Sequence, residues 1–163
     1  QLAERLEKPF ERVLIEDLGP QGGSAAYFIM NEALQRRFIQ DPRVSISSDG
    51  SPTGFHPRGH GTFAKIIEQY VEAEGALTLP EAVRQMTSLP AAQLGITDRG
   101  RLAPGLAADL LVFDPAAVRA RATYENPQQL AEGFEAVWVN GVQLRRDGVF
   151  TGAAGGRVLR PGP

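Results

Sequence analysis

The stretch Val44-Ser-Ile-Ser-Ser-Asp49-Gly50 decides the fold, and Ser51-Pro-Thr-Gly-Phe-His-Pro-Arg-Gly-His-Gly-Thr-Phe63 continues it. Apolar side chains alternate with serine over residues 44–48, which predicts a short strand. Asp49 stands at the carboxyl end of this strand, and a loop rich in glycine and proline follows it. We expect the next helix to begin with Thr62 as its cap. In α/β proteins the loops at the carboxyl ends of strands converge on one crevice, so Asp49 is the first candidate for chemistry.

The composition describes one ordinary globular chain of 163 residues with 42% apolar residues and a net charge of −2. Lysine and arginine are dispersed, so we expect neither a nucleic acid nor a membrane as partner. No apolar run approaches the roughly 20 residues that a spanning helix needs. The absence of cysteine excludes disulfides and thiolate metal ligands. We take a cytoplasmic location as the default, and the opening on Gln1 in mid-pattern suggests a fragment.

The first half of the chain has the pattern of an α/β protein. A helix is predicted over Leu2–Leu18, with a break at Pro9, and a short buried strand over Ala25–Met30. Asn31 is expected to cap a helix that ends at Gln40. Strand, helix and the strand at 44–48 form a βαβ unit, so we predict two parallel neighbouring strands.

Further signals divide the chain near residue 95. Thr78-Leu-Pro-Glu81 is a capping box that begins a helix, and a short helix ended by Gly95 follows. Beyond it, a strand over Ala108–Phe113 and a hairpin around Asn140-Gly141 indicate a small β region. We therefore predict an α/β domain over residues 1–95 and a small β domain with a tail over 96–163. Two parallel strands do not close a sheet, so the first domain resembles the end of a larger α/β barrel.

Three residue types could carry chemistry. Asp49 is either a general base or metal ligand, or the cap of a turn. His56 and His60 lie four residues apart, but Pro57, Gly59 and Gly61 indicate a loop and not a helical metal site. They would contact substrate, supply a supporting hydrogen bond, or fix the shape of the loop. Arg58 could grip a carboxylate bidentately, or it is a solvated loop residue.

Several segments resemble one family. Ser48-Asp49-Gly50 followed by His56-Pro-Arg58 and Gly61-Thr-Phe63 resembles the last-strand motif of the N-acyl-D-amino-acid deacylases, or D-aminoacylases. These belong to the metal-dependent amidohydrolase superfamily. Leu79–Gly95 resembles the segment that follows that motif. Arg99–Gly105 with Ala108–Asp114 resembles the superfamily's return into its small β domain. Val137–Gly141 with Asp147-Gly148 resembles its closing strands.

The resemblance implies a (β/α)8 TIM-like barrel followed by strands of a small β-sandwich domain. It implies hydrolysis of the small-molecule N-acyl-D-amino acids at a Zn²⁺ centre, giving a carboxylate and a D-amino acid. Asp49 matches the family's catalytic aspartate, which takes a proton from the zinc-activated water and passes it to the leaving amine. Arg58 matches the arginine that binds the substrate α-carboxylate, with His56 as a further substrate-binding residue.

The resemblance also implies that this chain does not act alone. The family's metal ligands come from earlier strands, so we expect none here beyond Asp49 as a weak ligand. The N-terminal barrel segment would then be a required partner. Two rivals stay open: an amidohydrolase acting on cyclic amides, like the dihydroorotases and hydantoinases, and a non-catalytic scaffold.

Overall fold

The structure, a computed structural model, describes residues 2–19, 29–51 and 53–160. The chain divides into two compact units, Gln1–Met30 and Asn31–Pro163. The predicted division near residue 95 is a different one and stays a prediction.

The first unit is helical over most of its described residues. Helix α1 spans Leu2–Arg5, and helix α2 spans Phe10–Arg12 and continues as wider π turns over Val13–Leu18. The gap between α1 and α2 confirms the predicted break at Pro9, because proline cannot donate a helical hydrogen bond. The strand predicted over Ala25–Met30 lies outside the described residues, apart from its last two.

The described part of the second unit begins with four helices. The helix over Glu32–Gln40 (α3) is capped as predicted, since the Asn31 Oδ1 accepts a hydrogen bond from the Leu34 N–H at 3.0 Å. The helix over Leu79–Met86 (α5) begins as predicted at its capping threonine, where the Thr78 Oγ1 accepts from the Glu81 N–H at 3.4 Å. The four helices span Glu32–Gln40 (α3), Arg58–Lys65 continued by π turns over Ile66–Ala73 (α4), Leu79–Met86 (α5) and Ser88–Gln93 (α6).

The segment over 44–48 differs from its prediction. It joins no sheet in the described part of the chain, so the paired strand predicted there is wrong for these residues. A parallel strand forms only against a neighbour, and here helices hold the segment instead. The Ile46 N–H donates to the Gln85 carbonyl at 3.0 Å, and the Gln93 Nε2 donates to the Arg43 carbonyl at 3.0 Å.

In the described residues an antiparallel sheet of four strands follows, and its strands lie side by side in chain order. The predicted hairpin is confirmed, with φ of 50° at Asn140 and 80° at Gly141, as a type I′ turn requires. Asp147 and Gly148 repeat this geometry and add a fourth strand that was not predicted. The strands span Leu110–Phe113 (β1), Phe134–Val139 (β2), Val142–Arg146 (β3) and Val149–Phe150 (β4).

Two apolar clusters hold the second unit together. One joins α3 to the π turns of α4 and to α5, around Ile39, Ile66 and Tyr70. The other packs Ala64 and Ile67 against Val118, with side chains from β1 and β2 around them. The second cluster therefore ties the helix that follows the Asp49 loop to the β region.

Candidate active site

Asp49 and Arg58, the two leading candidates from the sequence, lie together. The Arg58 Nη2 contacts the Asp49 Oδ2 at 2.7 Å. The two side chains are 49% and 80% exposed, so the pair is open to solvent. An exposed ion pair contributes only about 0–1 kcal/mol. Another carboxylate can therefore compete for the guanidinium at little cost.

A close approach of two glycines brings this pair together. A Cβ added at Gly50 would lie 2.9 Å from the Gly59 Cα, so only glycine fits at position 50. Asp49 precedes one of these glycines and Arg58 precedes the other. The two ends of the loop therefore lie together, and Asp49 lies next to Arg58, the first residue of the next helix.

Helix α4 begins at Arg58, so the prediction of Thr62 as its cap is wrong. The Thr62 Oγ1 instead donates to the Arg58 carbonyl at 2.8 Å, inside the first turn. The glycines that suggested a loop are used for packing. Gly61 is buried, and a Cβ there would meet the Ala122 Cβ at 3.4 Å. Tertiary packing has overridden the low helix propensity of glycine.

His56 supports the start of this helix. Its Nδ1 accepts a hydrogen bond from the Arg58 backbone N–H at 3.1 Å. Burial is the main cause that lowers the pKa of His56, the charge of Arg58 lowers it further, and Asp49 opposes both. A ring nitrogen that accepts a hydrogen bond carries no proton, so the lowered pKa of His56 agrees with the hydrogen bond to its Nδ1.

Tyr124 is a neighbour that the sequence did not single out. Its ring meets the His56 ring edge-on, with centroids 5.3 Å apart and an interplanar angle of 78°. No local pattern marks this tyrosine, because it lies in the polar segment before β2. Only the fold brings it to the Asp49 loop.

His60 lies inside α4, whereas His56 precedes the helix. The description of the whole segment as a loop was therefore wrong for His60, but the two histidines still do not share a helical face. The His60 Nδ1 is buried and has no hydrogen-bond partner in the described residues.

The described residues do not fit a zinc site by themselves. A zinc ion takes three or four protein ligands. The described ranges contain no group of three or more His, Cys, Asp or Glu side chains placed to hold a metal. Asp49 is engaged by Arg58, and the Nδ1 of His56 by a backbone N–H.

Comparison with known proteins places the chain among the amidohydrolases. The model of the Amidohydrolase family matches residues 9–145. An N-acyl-D-aspartate deacylase of Alcaligenes xylosoxydans xylosoxydans is 43% identical over 155 residues, which cover 93% of this chain and 30% of that protein.

Two solved structures share the fold. A D-aminoacylase matches with a TM-score of 0.83 and 39% identity, over 98% of this chain and 33% of the other. An N-acyl-D-glutamate deacylase of Bordetella bronchiseptica, complexed with zinc and a phosphonate mimic of the tetrahedral intermediate, matches with a TM-score of 0.70. Its identity is 40%, over 75% of this chain and 27% of the other.

The chain spans about a third of the length of these relatives, between 27% and 33%. Among the described residues, no helix combines the length and apolarity that crossing a membrane requires.

Proposed function

The chain belongs to the amidohydrolase family, and from this membership we propose that it is part of a zinc-dependent N-acyl-D-amino-acid deacylase. The part would carry the end of the last barrel strand, the helices after it and the strands of the small β domain. The segment at 44–48 would then pair with strands that the described residues do not include.

The 2.7 Å contact between Asp49 and Arg58 carries this proposal. In an N-acyl amino acid, the amide nitrogen and the α-carboxylate are bonded to the same carbon. A group that gives a proton to this nitrogen and a group that binds this carboxylate must therefore be neighbours. Asp49 and Arg58 have the right chemistry for these two tasks, and they are neighbours.

Asp49 would act as the proton carrier. Amide hydrolysis forms a bond between a water oxygen and the acyl carbon, and breaks the bond between that carbon and nitrogen. The Asp49 carboxylate takes the proton that the water loses and gives it to the departing nitrogen. The carboxylate is restored at the end, so Asp49 is ready for the next cycle.

Arg58 would bind the substrate carboxylate. A guanidinium has five N–H donors, and the contact with Asp49 uses one of its nitrogens. A bidentate, charge-assisted pair with substrate is worth more than the exposed pair with Asp49. Substrate binding would therefore turn Arg58 from Asp49 towards the α-carboxylate and free the proton carrier.

Zinc is proposed from the family alone. When bound, it would polarise the acyl oxygen and activate water. Its ligands would lie outside the described residues, which supply no ligand set.

The test is an assay of the full gene product with zinc on matched N-acetyl-D- and N-acetyl-L-amino acids. We expect release of the D-amino acid only. Asp49→Asn should lower kcat by about 10²–10⁴-fold, because the proton carrier is lost. Asparagine suits this position, since Asp49 has a φ of 47° and asparagine tolerates that region.

Two outcomes would contradict the proposal. One is the absence of D-amino acid release by the zinc-loaded, folded protein, with hydrolysis of cyclic amides instead. The other is full activity of Asp49→Asn. Unfolding curves of the wild type and of Asp49→Asn serve as the control for folding.

A further inference from the structure

We propose that His56 and Tyr124 form a positioning pair that fixes the start of helix α4 and thereby aims Arg58 at the substrate carboxylate. The inference rests on the proposed function for its kinetic consequences. Neither residue acts on the substrate in this account; both act through Arg58.

The first link is the hydrogen bond to the His56 Nδ1. Arg58 is the first residue of α4, and its backbone N–H has no carbonyl of the helix to donate to. The His56 Nδ1 accepts that N–H at 3.1 Å from two residues upstream. The side-chain oxygen of asparagine or aspartate plays this role in ordinary turns. The bond fixes the backbone of Arg58, and the direction of its Cα–Cβ bond follows.

The second link is the ring of Tyr124. An edge-on contact at 5.3 Å orients the imidazole, and with it the Nδ1 lone pair. Without this contact, the hydrogen bond from the Arg58 N–H would have to orient the imidazole by itself. Tyr124 would thus select the rotamer of His56 that caps the helix.

The third link holds Tyr124 itself. The segment that carries it is bound to α4 and its π turns at two points. The Ala120 N–H donates to the Glu68 Oε2 at 2.8 Å, and Gly61 packs closely against Ala122. Thr123 and Asn126 exchange hydrogen bonds at 3.1 Å and form the turn around Tyr124. The segment therefore moves with the helix that Arg58 begins.

The experiment separates the effect of the Nδ1 hydrogen-bond acceptor from the effect of the His56 ring. In the zinc-loaded gene product, His56→Phe keeps a ring and removes the acceptor, whereas His56→Asn restores an acceptor at the position of Nδ1. We expect KM to rise about fivefold in His56→Phe, the value of one ordinary hydrogen bond, with kcat within about twofold. In His56→Asn, KM should return most of the way to the wild-type value. Tyr124→Leu should raise KM by about threefold.

A double-mutant cycle identifies Arg58 as the target. In an Arg58→Ala background, His56→Phe should have no further effect on KM, because there is no guanidinium left to aim. Lys65→Ala, an exposed change on the same helix, is the control and should leave KM unchanged.

Nitrogen NMR of the His56 ring gives a readout that does not depend on activity. We expect an unprotonated Nδ1 that accepts a hydrogen bond and a proton on Nε2. Tyr124→Leu should weaken this signature and broaden the Arg58 amide resonance. If the protein releases no D-amino acid, the proposed function fails, and the NMR result still decides the positioning role.

The inference is overturned by any of three results. They are an unchanged KM in His56→Phe, an equal rise of KM in His56→Phe and His56→Asn, or a proton on the His56 Nδ1 at neutral pH.

Discussion

At the scale of single residues, two opposite charges influence the pKa of His56. Asp49 acts on it from the start of the same loop, and Arg58 acts on it from the start of the following helix. Tyr124 packs on it from the segment before β2. Burial and Arg58 favour the neutral ring, and only Asp49 favours the charged one. The neutral ring is the form that can accept the Arg58 N–H.

This balance predicts the titration of His56. Its pKa should lie below the ordinary 6.5 in NMR titrations of the folded chain. Arg58→Ala should raise the pKa, because a positive charge is removed, and Asp49→Asn should lower it further. A pKa above 6.5 in the wild type would contradict this account.

The same shift affects stability. Because the folded chain binds the His56 proton less readily than the unfolded chain, the unfolded state takes up more protons as the pH falls. The contribution of His56 to the free energy of unfolding is therefore complete above pH 6.5. It is lost as the pH falls from 6.5 through the lower pKa that His56 has in the folded chain.

At the scale of elements, the loop between Asp49 and Arg58 depends on which glycine is enlarged. Gly50→Ala would bring a Cβ to 2.9 Å from the Gly59 Cα, whereas Gly59→Ala would meet the Gly50 Cα at an ordinary 3.5 Å. We expect Gly50→Ala to cost about 1–3 kcal/mol in the free energy of unfolding by urea. Gly59→Ala should be neutral, or stabilising by up to about 1 kcal/mol, because alanine favours the helix. Equal effects of the two changes would show that the backbones are not in contact.

The segment that leads to Asp49 depends on one buried amide. Gln85 is fully buried, and its Nε2 donates to the carbonyls of Ile39 and Asp41 at 3.1 and 3.0 Å. Gln85→Leu should lower the free energy of unfolding by about 2–4 kcal/mol, since the buried Ile39 carbonyl and the half-buried Asp41 carbonyl lose their partner. Gln93→Leu removes a similar bond at an exposed site and should cost no more than about 0.5 kcal/mol. A small loss in Gln85→Leu would mean that the segment is held by other contacts.

At the scale of the whole molecule, local signals predicted the elements and non-local contacts decided the rest. Asn31, Thr78 and the Asn140-Gly141 turn were predicted correctly, because each signal acts within a few residues. The strand predicted at 44–48 does not form, because it needs neighbouring strands that the described residues do not contain. The early start of α4 depends on Gly50 and Ala122, which lie outside the helix.

The candidate site was predictable in part for the same reason. Asp49 and Arg58 were singled out because they flank a loop at the end of a strand-like segment. Their contact was not predicted, since it requires the close approach of Gly50 and Gly59. Tyr124 could not have been found, because its partner lies far away in sequence.

The exposed apolar surface agrees with a chain that spans about a third of its relatives. In β1, Leu110, Leu111 and Val112 are all partly exposed, at 37%, 48% and 45%. Successive residues of a strand face opposite sides, so both faces of β1 are accessible. The resemblance to the N-acyl-D-amino-acid deacylases is confirmed by the family and by the relatives' identity, and the activity of the whole protein stays a proposal.

The most direct test of the central claim compares one N-acetyl-D-amino acid with its α-carboxamide, on the wild type and on Arg58→Ala. If Arg58 binds the α-carboxylate beside Asp49, the wild type should prefer the acid in kcat/KM by about 10–100-fold, mainly through KM. Arg58→Ala should lose this preference and retain most of its activity on the carboxamide. A wild type that hydrolyses both substrates equally, or an Arg58→Ala variant that keeps the preference, would contradict the claim.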